Sequence, residues 1–140
     1  MSEVAERRVD VFFYGLFMDK ELLRKKGFDP TDERVASVQG FALRIGQRAT
    51  LVPSANDVAY GVIMSLSHDA IEALYSETSV RIYRPEAVLA RFPDGALAPA
   101  LCFNLPLPPG PDEHNPEYAA ELRALAEQFG FPADYVASIQ

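Results

Sequence analysis

Apolar positions follow two rhythms along this chain, near-continuous runs and repeats of three or four, and each rhythm predicts a different element. The first run, residues 9–18, reads Val-Asp-Val-Phe-Phe-Tyr-Gly-Leu-Phe-Met. Only Asp10 interrupts its bulky start, so it predicts a strand buried on both faces. Gly15 follows, a residue that takes backbone angles closed to others. Asp19 is then placed as the N-cap of a helix over residues 21–26, which Gly27 ends. A strand that turns at a glycine straight into a helix leaves unpaired N–H groups around a small concave space, suited to an oxyanion or carboxylate. The same spacing equally fits a connection that binds nothing.

After a loop at Asp29-Pro30-Thr31-Asp32, residues 34–45 look extended, with Gly40 as a candidate bulge. Residues 49–53 form a short strand, Ser54-Ala55-Asn56-Asp57 a turn, and residues 58–66 a further buried strand. Gly61 in that strand signals the close approach of another backbone or a ligand. Ser67 caps a short helix on which Ile71, Leu74 and Tyr75 repeat. Glu77 lies just beyond it, before a strand-like run at residues 80–83. Residues 86–92 and 96–105 flank Pro93-Asp94-Gly95 and predict a hairpin. The four prolines of residues 106–111 make a stiff connector. Asn115-Pro116-Glu117 opens a helix with a cap, a proline and an acid in favourable places. Tyr118, Leu122, Leu125 and Phe129 are its apolar stripe, and Gly130 ends it. Pro132 starts a last turn that folds Tyr135, Val136 and Ile139 back on the core. The sum is an α+β chain of about six strands with helices packed outside.

Size and charge narrow the function classes. The 140 residues suit one domain over residues 1–140, with the charged residues 1–8 a flexible N-terminus. No apolar run reaches the roughly 18 residues of a membrane span, and the N-terminus lacks the apolar centre of a signal peptide. A lone cysteine, Cys102, excludes an internal disulfide and fits a reducing, cytoplasmic setting. The net charge of −7 argues against binding nucleic acid or anionic membranes. Arg7-Arg8 and Arg24-Lys25-Lys26 are too short to reverse it and read as solvated surface.

Among groups able to do chemistry, His68 and His114 lack partners at metal-ligand spacing, so no metal is expected. Cys102 lies in an apolar strand and reads as packing. Neither a glycine-rich phosphate loop nor a nucleophile elbow is present. Carboxylates remain. Glu77 stands at an element boundary near the core, and by position alone it is a structural or a functional acid.

Four segments, taken in order, resemble one family. Phe12-Phe13-Tyr14-Gly15-Leu16-Phe17-Met18-Asp19 resembles the Phe-x-Tyr-Gly-(Ser/Thr)-Leu-Met opening of gamma-glutamylcyclotransferase-like proteins. Tyr60-Gly61-Val62-Ile63 looks like that family's glycine-bearing strand. Leu74-Tyr75-Ser76-Glu77, then Tyr83-Arg84 and Val88, is similar to its Leu-x-x-x-Glu-Gly…Tyr-x-Arg…Val segment. Asn115-Pro116-Glu117-Tyr118 through Phe131-Pro132-Ala133-Asp134-Tyr135 resembles its closing helix and tail. Leu16 replaces the usual small hydroxyl residue, and Thr78 the usual glycine after the glutamate.

The resemblance implies a small, mixed, six-stranded barrel-like sheet with helices outside and a pocket at residues 14–18. It implies a transferase that needs no cofactor and releases 5-oxoproline from a small gamma-glutamyl amide or peptide, as in glutathione metabolism. The substrate's α-amine attacks its own γ-carbonyl, so the nucleophile is already tethered. Glu77 matches the general acid/base, a partly buried carboxyl of raised pKa. The turn at Gly15, Leu16 and Phe17 supplies N–H donors. Tyr14, Tyr83 and Tyr118 are pocket walls or core aromatics. The alternative is a non-catalytic relative that binds a small acidic metabolite or serves as an interaction domain. Either a monomer or a homodimer is compatible with this reading.

Overall fold

In a computed structural model, which describes residues 7–140, the first apolar run forms β1 (Arg8–Phe13). A 3-10 turn (Leu16–Met18) and α1 (Lys20–Lys25) follow at once. The Asp19 side chain accepts from Glu21 N–H, and Gly27 adopts a φ of +94° just past the helix. This local sequence is therefore satisfied where it stands: a cap at one end and a left-handed glycine at the other. Of the expected flexible segment, residues 1–6 lie outside the described residues. Arg8 is tied down, its guanidinium donating to the Asp29 and Ser65 carbonyls at 2.8 Å each.

Two long strands, β2 (Thr31–Ile45) and β3 (Ala49–Ser67), pair antiparallel along most of their length. β4 (Arg84–Arg91) and β5 (Leu97–Asn104) form the expected hairpin, with Gly95 at a φ of +90° in its turn. The ring runs β1-β3-β2-β4-β5 and closes where β5 lies parallel to β1, Val11 opposite Leu101.

The described residues thus hold five strands, where the sequence predicts six. Residues 49–53 and 58–66 belong to one strand, because both flanks pair with β2 in the same sense. Gln39 faces Val58 and Phe41 faces Pro53, so residues 54–57 oppose Gly40 alone. The polar tetrapeptide bulges out, with Ser54 donating to Asp57, while Gly40 turns with a φ of +85°. Its turn chemistry is real, but both flanks share a neighbour and the strand continues.

Alternation along β1 divides the core. Phe12 and Tyr14 pack with Ala36, Ile63, Val88 and Cys102; all five strands contribute to this cluster, which fills the barrel. Val11 and Phe13 face the other way, against α2 (His68–Leu74), α3 (Pro116–Gln128) and α4 (Ala133–Ser138). Leu74, Leu122 and Ile139, each at most 2 % exposed, are the buried contacts of that helical layer. Each such side chain contributes roughly 1.5–3 kcal/mol on burial. Asn115 caps α3 through Tyr118 N–H at 3.1 Å, fixing where Tyr118 leaves the helix. No helix among the described residues is long and apolar enough to cross a membrane.

Candidate active site

β1 runs out of the barrel at Tyr14, and the chain must turn there without obstructing α3. Gly15 meets this need in a way its backbone does not reveal. Its φ of −111° suits any residue, but a Cβ there would stand 2.3 Å from the Tyr118 hydroxyl. That hydroxyl accepts from Leu16 N–H at 3.2 Å. The glycine is thus demanded by a side chain arriving from α3, correcting the expectation of unusual backbone angles. Gly61 behaves as expected: a Cβ would lie 2.2 Å from the Phe13 carbonyl oxygen.

Beyond α2 the chain folds tightly around Glu77, whose carbonyl accepts from Val80 N–H at 3.0 Å and Arg81 N–H at 2.9 Å. Residues 80–83 are therefore turns, not the strand-like run that their composition suggests. Thr78 has no left-handed φ, since Asp32 alone among the described non-glycine residues does. The family's glycine is not needed by this backbone.

These segments enclose one cavity of about 490 Å³. The structure brings every residue that the resemblance assigned to the site to its wall: Tyr14, Gly15, Leu16 and Phe17 from the end of β1, Glu77 and Tyr83 from the turns after α2, and Tyr118 from α3. Glu77 and the glycine turn share this space although some sixty residues separate them.

The inner end is aromatic. Tyr75 stacks on Phe103 with ring centres 3.9 Å apart and meets Phe17 edge-on at 6.1 Å. Phe17 in turn meets Phe13 edge-on at 6.2 Å. Tyr14 donates to the Phe103 carbonyl at 2.7 Å, and Tyr83 donates to the Ala49 carbonyl. Burial raises the pKa of Tyr14, Tyr75, Tyr83 and Tyr118, so these phenols stay neutral. Two of the three candidate wall tyrosines therefore clamp backbone carbonyls. Tyr118 uses its oxygen as an acceptor, and among the described residues no acceptor takes its hydrogen.

The rim is charged. Glu77 pairs with Lys26 of the segment closing α1, Nζ to Oε1 2.8 Å, both side chains about one-third exposed. Neither Arg81 nor Arg84, the nearest basic residues in sequence, takes that place. Lys26 belongs to a cluster that reads as solvated surface, and nothing in its sequence surroundings points to a partner 51 residues away. Arg48, exposed at the end of the β2–β3 turn, donates from Nε to the Ser79 carbonyl at 2.7 Å. Tyr75, Phe103, Lys26 and Arg48 are among the wall residues that sequence reasoning missed.

Cys102 is fully buried in the barrel, and burial pushes its pKa up to about 12, consistent with packing. Among the described residues no three His, Cys, Asp or Glu side chains cluster as a metal site would require.

No family model matches the chain, and no curated protein matches it. Solved structures do. A gamma-glutamyl cyclotransferase superposes with a TM-score of 0.75 at 18% identity, covering 96% of this chain and 89% of its own. An uncharacterised protein from Homo sapiens gives 0.74 at 21%, with the same coverage. YkqA from Bacillus subtilis gives 0.75 at 22%; the match covers 94% of this chain but only 52% of YkqA. At these identities the likeness establishes a fold. This chain has the gamma-glutamyl cyclotransferase fold, a closed mixed barrel with helices outside, as the sequence resemblance implied.

Proposed function

We propose that the protein is a cofactor-independent cyclotransferase that releases 5-oxoproline from a gamma-glutamyl amide or peptide. The observation that carries this reading is one cavity holding a carboxylate, a backbone turn and a neutral phenol, on the fold of a protein named gamma-glutamyl cyclotransferase. The substrate's gamma-glutamyl end lies inward against the aromatic wall, curled so that its α-amine faces its γ-carbonyl. Holding that conformer removes much of the entropic barrier to ring closure. Glu77 accepts a proton from the amine as nitrogen bonds to the carbonyl carbon. It returns the proton to the leaving nitrogen as the amide C–N bond breaks. No water is consumed, and the five-membered lactam is the product.

Lys26 holds the Glu77 carboxylate in place. The developing oxyanion finds the Tyr118 hydroxyl hydrogen and Phe17 N–H, which lies in the first turn of the 3-10 helix and has no acceptor inside it. Leu16 N–H is already engaged by Tyr118. That contact favours the second reading, a module that binds a small acidic metabolite without turnover, since one expected donor is spent on the fold.

Incubation with glutathione, gamma-glutamyl dipeptides and gamma-glutamylamines, followed by chromatographic detection of 5-oxoproline, separates the two. Release that exceeds the uncatalysed rate supports the cyclotransferase. Saturable binding with no release from any compound establishes the binding module instead.

A further inference from the structure

Charges around the cavity are not all directly paired. Its inner end is closed by buried Phe12, Phe13, Tyr14 and Phe103, so whatever the γ-carbonyl is bonded to must point outward. At the rim Lys26 and Glu77 neutralise each other at 2.8 Å. Arg48 is then left over, and among the described residues it forms no ion pair. The carboxylate of Glu113 accepts from the N–H groups of Gly110, at 2.6 Å, and Gln47, at 3.4 Å, which lower its pKa. The Arg48 charge is close enough to lower it further, but Glu113 forms no ion pair with Arg48.

Nor is Arg48 loose. Its Nε is fixed on the carbonyl of Ser79, in the turn that Glu77 begins. One edge of the guanidinium is spent on that bond, and its terminal N–H groups remain as donors. Arg48 and Glu77 line the same cavity, and Arg48 is anchored to the turn that Glu77 begins.

We infer that Arg48 is a specificity-determining residue that binds a carboxylate carried by the leaving amine, so that gamma-glutamyl amino acids and peptides are preferred over gamma-glutamylamines. The inference rests on the cyclotransferase reading and names its substrate class. A fork of N–H donors suits a carboxylate far better than an uncharged alkyl group. An alkylamine would leave the guanidinium partly covered and without a direct ion pair. Lys26 cannot serve in its place without abandoning Glu77.

Gamma-glutamyl-alanine and gamma-glutamyl-ethylamide test this, because they differ only by the carboxylate. Rates of 5-oxoproline release are compared for wild type, Arg48→Ala and Arg48→Lys. Wild type should favour the alanine compound by about tenfold in kcat/KM, the order for one charge-assisted hydrogen bond in a half-covered site. The preference should appear mainly in KM and weaken at high salt. In Arg48→Ala the ratio should fall close to one, and Arg48→Lys should keep part of it. Equal wild-type rates on the two compounds, or a ratio that survives in Arg48→Ala, overturn the role of Arg48 while leaving the cyclotransferase intact. No release from either compound, or from the wider panel, overturns the cyclotransferase reading and this inference with it.

Discussion

The two ends of the cavity are built on opposite principles. At the inner end, aromatic rings held by packing and by hydroxyl-to-carbonyl bonds present a dry wall. At the rim, charged side chains from three separated stretches meet across open space, held by single polar contacts. The first end can place a substrate but offers little to move a proton. The second can move charge but has little to define shape. Difficulty of repair differs as well: a packed wall resists change through volume, a rim through charge.

The sharpest way to break this division is at the rim. Glu77→Gln keeps the size and reach of the side chain and removes its basicity, so turnover should fall by about 10² to 10⁴. Because an ion pair this exposed is worth at most about 1 kcal/mol, the melting temperature should move by only a few degrees. Parallel assays of 5-oxoproline release and thermal unfolding check both. A strong loss of stability with wild-type turnover per folded molecule would make Glu77 a structural residue and erase the distinction.

The inner end has its own signature at high pH. Burial raises Tyr14, Tyr75, Tyr83 and Tyr118 above the ordinary phenol value of 10.0. Cys102 rises likewise from 9.0 to about 12. The unfolded chain loses these protons first, so the native state binds more of them and stability falls as pH rises. That stability is complete below about pH 9 and disappears progressively towards pH 12, each group contributing up to about 1.4 kcal/mol per pH unit. Phenolate absorbance should therefore appear together with unfolding. Free titration of these tyrosines near pH 10 in a folded protein would mean that the wall is wet.

Gly15→Ala tests the seam between the ends. Its Cβ would press on the Tyr118 hydroxyl, at a cost of about 1–3 kcal/mol. Tyr118→Phe in the same chain removes the obstructing oxygen and should recover most of that loss, a coupling that a double-mutant cycle measures directly. Additive losses would show that the loop tolerates a side chain by moving elsewhere. The smallest effect is expected from Leu16→Ser. The Leu16 contact with Tyr118 is made by backbone N–H, so turnover should change by less than about threefold or rise. A collapse of activity in the folded variant would assign the work to the leucine side chain.

Local order was legible wherever a residue's neighbours in sequence are also its partners in space. The Asp19, Ser67 and Asn115 caps each accept from an N–H two or three residues on. The turn at Gly95 and the helix-ending Gly27 and Gly130 depend only on their own φ. The Tyr14-Gly15 and Glu77 segments were found through resemblance, and the structure puts them in one cavity. The strand count went astray because residues 54–57 carry a genuine turn pattern, while continuity depends on β2 alongside. Gly15 was singled out for the wrong cause, since its neighbour Tyr118 arrives on α3 from about a hundred residues away. Lys26 and Arg48 look like any solvated cation until tertiary structure sets Glu77 and the Ser79 carbonyl beside them. Periodicity and capping report short-range sterics and hydrogen bonding, which the chain carries in its order. A charge acquires a role only from what stands within a few ångströms of it, and the tertiary fold decided that.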